Sequence, residues 1–118
     1  MTFGNYNTLA NSDVSNTVIA NCSSGTTYAI GLGAGAYGSG VTDRKMINSS
    51  TGVVYLSYAL YQDAARTINW GETVGTDTVV GTPGTGSDQT YTVYGRVPSG
   101  QATANGSYID TITVTLTF

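Results

Sequence analysis

The chain has 118 residues and a mass of 12.2 kDa, enough for one hydrophobic core and short of two. Four Lys+Arg against seven Asp+Glu give a formal charge of -3, and no basic run exists that could neutralise nucleic-acid phosphates or grip an anionic membrane surface. Histidine is absent and Cys22 is the lone cysteine, which excludes Ser-His-Asp and Cys-His dyads, an internal disulfide and nearly every zinc site built from this chain alone.

Threonine, valine and tyrosine recur in short runs separated by Gly, Asn, Ser and Asp, the pattern of an all-β protein. Residues 14–22 place Val18, Ala20 and Cys22 on one face of a strand, so Cys22 is expected to point inward. A strand over 28–32 aligns Tyr28, Ile30 and Leu32, a glycine-rich turn and loop covers 31–40, and a weaker strand runs over 44–47. Residues 53–61 are apolar on both faces, which predicts a strand that is central or covered on both sides. The long loop 71–88 has room for a short strand at 77–80; a strand over 90–97 and a loop over 98–106 follow. The end of the chain gives the clearest signal. Tyr108, Ile112, Val114, Leu116 and Phe118 alternate with Thr111, Thr113, Thr115 and Thr117, predicting one strand over 108–118 with Asp110 at its rim. No fixed-period repeat or domain boundary interrupts residues 1–118, so a single domain is expected.

Gly33-Ala34-Gly35-Ala36-Tyr37-Gly38 satisfies G-x-G-x-x-G and follows a predicted strand. Ser39-Gly40-Val41-Thr42 starts no helix, so there is no N-terminus to hold a pyrophosphate, and the segment reads as a β-β connection. The seven carboxylates are scattered, as turn and loop acids are, and Asp43-Arg44-Lys45 reads as a turn with local pairing. Asn21, Asn48 and Asn105 begin formal glycosylation sequons of a length that chance supplies. Around the single tryptophan two readings stand. Trp70 plugs one end of the structure while Arg66 pairs with Asp63 or with exposed carbonyls, or Trp70 and Tyr61 form a platform for a sugar. No signal peptide is visible, and no apolar run approaches the ~18 residues of a membrane span. Sixteen glycines, many Thr, Ser and Tyr, and few Lys or Glu fit extracellular β-proteins. No cofactor or catalytic set is implied.

Several segments together resemble the spore coat protein U domain family: Phe3-Gly4-Asn5-Tyr6, residues 18–22, Tyr28-Ala29-Ile30-Gly31-Leu32-Gly33-Ala34-Gly35, and Asp43-Arg44-Lys45-Met46. The likeness continues through Leu56 to Thr67, Trp70-Gly71, Val93 to Gln101 and Gly106 to Thr111, and so covers nearly the whole chain. Within these segments Asp63, Arg66, Trp70, Tyr94, Arg96 and Tyr108 are the family-motif positions. The resemblance implies an incomplete, antiparallel immunoglobulin-like β-sandwich, completed by a strand donated from a neighbouring subunit. It further implies a structural subunit of a secreted surface fibre or coat, carried through the periplasm of a Gram-negative bacterium by a chaperone and an outer-membrane usher. A tip adhesin that recognises a surface or glycan through loops 31–40 and 71–88 is the alternative. Ile112, Val114, Leu116 and Phe118 are then expected to wall the assembly groove. In the family, the cysteine matching Cys22 pairs with one further upstream, so Cys22 is half a disulfide here. The family's N-terminal donor segment and first strand also have no counterpart in the sequence, as in a shortened chain.

Overall fold

The structure is a computed structural model that describes residues 12–80, 83–101 and 107–118. The motif at Phe3–Tyr6, the sequon at Asn105 and parts of the loops 71–88 and 98–106 lie outside those residues. No described residue is helical, so no helix is long and apolar enough to cross a membrane.

Eight strands follow in chain order: β1 (Ser12–Asn21), β2 (Ala29–Leu32), β3 (Arg44–Asn48), β4 (Tyr55–Tyr61), β5 (Val79–Val80), β6 (Asp88–Val97), β7 (Tyr108–Ile109) and β8 (Val114–Thr117). They form a five-stranded sheet in the order β1-β6-β4-β3-β7 and a three-stranded sheet in the order β5-β2-β8, with every pair antiparallel.

Period-two alternation explains which side chains enter the core between the sheets. Leu56, Tyr58 and Leu60 of β4, Met46 of β3, and Val93 and Val97 of β6 are buried, and Ile30 and Leu32 of β2 meet them from the other sheet. Strand β4 is central in its sheet, as its composition predicts, but only its inner face is fully covered; its outer residues Ser57, Ala59 and Tyr61 are half-buried. Val18 and Ala20 face inward from β1, and Cys22, one residue past the strand, packs against the same core as a half-buried free thiol.

The terminal segment differs from expectation. It is not one strand: β7 pairs with β3 in the larger sheet, while β8 pairs with β2 in the smaller. Residues 110–113 carry the chain from one sheet to the other. The turn is held by the Asp110 carboxylate, which accepts from Tyr58 Oη, from the Ala36 amide at 2.9 Å and from the Thr111 amide at 2.8 Å. Alternation records which side of a strand a residue occupies; it is blind to a change of sheet that preserves the alternation.

A second difference concerns Arg44. Lys45 and Asp43 do pair locally, at 3.7 Å, but Arg44 is fully buried, at 0% exposure. Its Nε donates to Gly33 O, and one terminal nitrogen donates to both Leu32 O and Trp70 O. Arg44, Met46 and Asn48 are the inward residues of β3, so the guanidinium crosses the core and bonds main-chain carbonyls at the end of β2. Burial depresses its pKa, while Tyr58, Asp77, Glu72 and Asp110 act in the opposite sense; an arginine remains charged throughout.

A candidate strand-accepting groove between the sheets

Among the described residues β1 pairs only with β6 and β8 only with β2, so each presents an unpaired edge. Between these edges the sandwich is open. A cleft of about 210 Å3 is walled on one side by Asn16, Thr17 and Val18 of β1 and on the other by Asp110, Ile112 and Val114. Its floor is the core itself: Leu32, Met46, Tyr58, Leu60 and Val93. An apolar floor flanked by two strand edges that pair with no further strand among the described residues is the geometry that an added strand satisfies, through main-chain bonds to the edges and alternate side chains into the floor.

The register of β8 fixes which of its residues contribute. Val114 stands opposite Leu32 and Leu116 opposite Ile30, both on the inner face, while Thr115 and Thr117 stand opposite Gly31 and Ala29 on the outer face. Val114 is 50% exposed and Ile112 is partly buried, and both line the cleft. Leu116 packs into the core beside the cleft rather than lining it. Phe118 lies beyond the strand, 87% exposed, and contributes nothing to the wall. The β1 wall was not singled out from the sequence; its signal is the continuation of the inward set Val18, Ala20 and Cys22 back to Asn16.

The motif residues occupy structural positions around the sandwich. Trp70 is 1% exposed; its main-chain amide donates to Leu60 O of β4 and its indole nitrogen to Ile30 O of β2, so one residue ties the two sheets together. That burial leaves no ring face for a sugar, and a Trp70–Tyr61 platform does not form. Asp63 closes the turn after β4 by accepting from the Thr67 and Ile68 amides, each at 3.0 Å, and from Thr67 Oγ1. Those bonds, with Thr67 Oγ1 foremost, hold its carboxyl below the usual value. Arg66 has φ 58° in this turn; its amide donates to Asp63 O, and its guanidinium bonds the carbonyls of Ala64 and Gly95 rather than the Asp63 carboxylate. Its guanidinium lies 5.6 Å from the Tyr94 ring centre and 3.7 Å from Asp13. Arg96 meets Asp13, its directly opposite residue on β1, with two charge-assisted bonds of 2.8 and 3.0 Å. Arg96 thereby lowers the Asp13 pKa. Tyr108 faces inward opposite Asn48 and packs against the core. Asn48 is itself buried, accepting from the Ser50 and Thr51 amides, so that sequon is structural.

Tyr58 is buried, and that burial raises its pKa above the ordinary tyrosine value, helped by the bond to the Asp110 carboxylate. It is therefore the proton donor in that bond. No group of three His, Cys, Asp or Glu side chains that could hold a metal occurs among the described residues.

Residues 1–115 match the family described as Spore Coat Protein U domain. Protein U of Myxococcus xanthus is 41% identical over 104 residues, a match that takes in 82% of this chain and 55% of that protein. The chain thus spans about half the length of that curated relative. Among solved structures, one chain of the CsuC-CsuE chaperone-tip adhesion subunit pre-assembly complex, from the archaic chaperone-usher Csu pili of Acinetobacter baumannii, matches with a TM-score of 0.68. That match has 22% identity and covers 90% of this chain and 34% of the other.

Proposed function

For a chain that belongs to the Spore Coat Protein U domain family, we propose the role of a structural subunit of a secreted surface fibre or coat, assembled by donation of a strand into the cleft between β1 and β8. The observation that carries this reading is the cleft: core side chains lie open between two strand edges that are unpaired among the described residues. Left open, such a site invites indiscriminate edge pairing. Filled by an extended segment of a neighbouring subunit, it becomes a specific joint. Because donor and acceptor are different surfaces, the joint is heterologous and repeats into an open filament rather than a closed ring. The work of the protein is then assembly and not catalysis. Its route to the cell surface runs through the periplasm, where a chaperone occupies the cleft until an outer-membrane usher exchanges it for a subunit strand.

The test is a synthetic peptide with valine at every second position and threonine between, added to the 118-residue chain. It is expected to raise the melting temperature and to slow amide hydrogen exchange along β8 and β1. No shift, with exchange at both edges unchanged, overturns the reading.

A second reading, a tip domain that touches a surface or glycan, draws on one observation. Tyr37 of the β2–β3 loop and Tyr55 are both exposed, with ring centres 6.0 Å apart. Binding of the isolated domain to a hydrophobic surface or glycan array, lost in Tyr37→Ser but insensitive to the peptide, would favour it.

A further inference from the structure

The cleft is not uniformly apolar. At the point where the chain leaves the larger sheet, the half-buried Asp110 carboxylate stands in its wall, next to Ile112 and above the apolar floor. We propose that Asp110 is a specificity-determining residue of the groove, selecting an inserted strand that presents a Lys or Arg side chain at the position facing it. This rests on the strand-accepting reading of the cleft.

The carboxylate is held in place but not neutralised. Its three bonds come from the Tyr58 hydroxyl and the Ala36 and Thr111 amides, all uncharged donors, which leaves one of its roughly four acceptor directions open. Among the described residues no cation lies within ion-pair distance of it, since the ion pairs present involve Asp13 and Asp43. Arg44 attracts it from a distance, yet its Nε and one terminal nitrogen bond Gly33, Leu32 and Trp70 while the other terminal nitrogen has no hydrogen-bond partner, so no bond joins the two side chains. It packs directly on the Gly35 backbone, in the space that a Cβ there would occupy. An inserted strand strips water from this carboxylate. A basic side chain compensates with a charge-assisted bond, whereas an apolar one leaves a partly desolvated charge unpaired. The same side chain thus attracts one class of strand and disfavours another, which is how a binding site discriminates.

The required cation is not supplied by the sequence in hand. Its four basic residues are Arg44, Lys45, Arg66 and Arg96, all within the folded body, and residues 1–11 contain neither Lys nor Arg. The strand that fits best comes from outside these 118 residues.

The experiment compares valine-threonine peptides in which one inward valine at a time is replaced by lysine or by norleucine, its uncharged counterpart of similar length. Binding to the 118-residue chain is read by calorimetry. At one position the lysine peptide is expected to bind about tenfold more tightly than the norleucine peptide, and Asp110→Asn, which can still accept from Tyr58, should abolish that advantage. Should Asp110→Asn fail to fold, the wild-type chain still decides: added salt must erode the lysine advantage and leave norleucine binding unchanged. If the parent peptide binds but lysine is nowhere preferred, the role of Asp110 is wrong and the groove stands; if no peptide binds, the groove falls with it.

Discussion

The buried Arg44 holds a position that an aliphatic residue would normally fill. Arg44 supplies donors to three carbonyls of the opposite sheet and its approaches. Replacing it with Met keeps most of the volume but leaves those acceptors short of partners, and loss of about 3 kcal/mol is expected in denaturant melts. Trp70→Ala removes both a large buried ring and the bond to Ile30 O, so a cost of about 3–5 kcal/mol is expected. An unchanged melting temperature for either variant would refute the packing assignment. Gly35 is constrained twice: φ is +80°, and the Asp110 carboxylate occupies the space a Cβ would need. Gly35→Ala should therefore both lower stability and push Asp110 out of the groove wall, visible as lost amide protection at Ala36. An alanine variant with that protection intact would contradict the geometry.

At the scale of the strand, β8 separates two jobs that its sequence pattern merges. Val114 is inward yet half exposed, because the floor beneath it opens into the cleft. Val114→Asp is thus expected to cost the free domain only about 1 kcal/mol while abolishing stabilisation by a valine-threonine peptide. Thr115→Asp, on the outer face opposite Gly31, should leave both nearly unchanged. Melts with and without peptide check this, and equal responses of the two variants would remove β8 from the groove.

What the sequence discloses follows from the same distinction. Inward sets such as Tyr28, Ile30 and Leu32, or Val18 and Ala20, were readable because alternation is local. The break between β7 and β8 was not, since Tyr108, Asp110, Ile112 and Val114 keep one continuous period while the chain changes sheets. Arg44 was hidden by its neighbours: Asp43 and Lys45 make a turn-like triplet of charges, and only the extension through Met46 and Asn48 marks it as inward. Half of the groove, the β1 wall, is marked only by extending the inward set from Val18 back to Asn16, since Asn16 and Thr17 themselves carry no apolar signal.

Across the whole molecule, stability should form a broad plateau in pH. Asp13, Asp43 and Asp63 have carboxyl pKa values lowered from 3.8, by bonds to Arg96, Ser39 and Thr67 respectively in the first place. Their contributions are complete above that value and are lost as pH falls through the lower folded values, so melting temperature should drop below about pH 4. At the other end, burial and the bond to Tyr91 raise Tyr28 to about 12, and Tyr58 is raised as well. A raised phenol favours the fold while protonated, so stability should decline as pH climbs above 10. There is no histidine to interrupt the interval. A melting temperature that varied strongly between pH 5 and pH 7 would overturn this assignment.

Asn21 and Asp88, at the near end of the β1–β6 ladder, are 67 positions apart, and each further rung joins residues more distant still. A polypeptide emerging N-terminus first therefore presents β1 as a bare, ten-residue edge long before its mate exists. Throughout synthesis that edge is a template for mispairing with other nascent chains, and the interval shortens only with faster delivery or a capping factor. Chains ending at Ser87 should show β1 amides exchanging at the rate of an unfolded peptide, with protection arising once the sequence through Val97 is present.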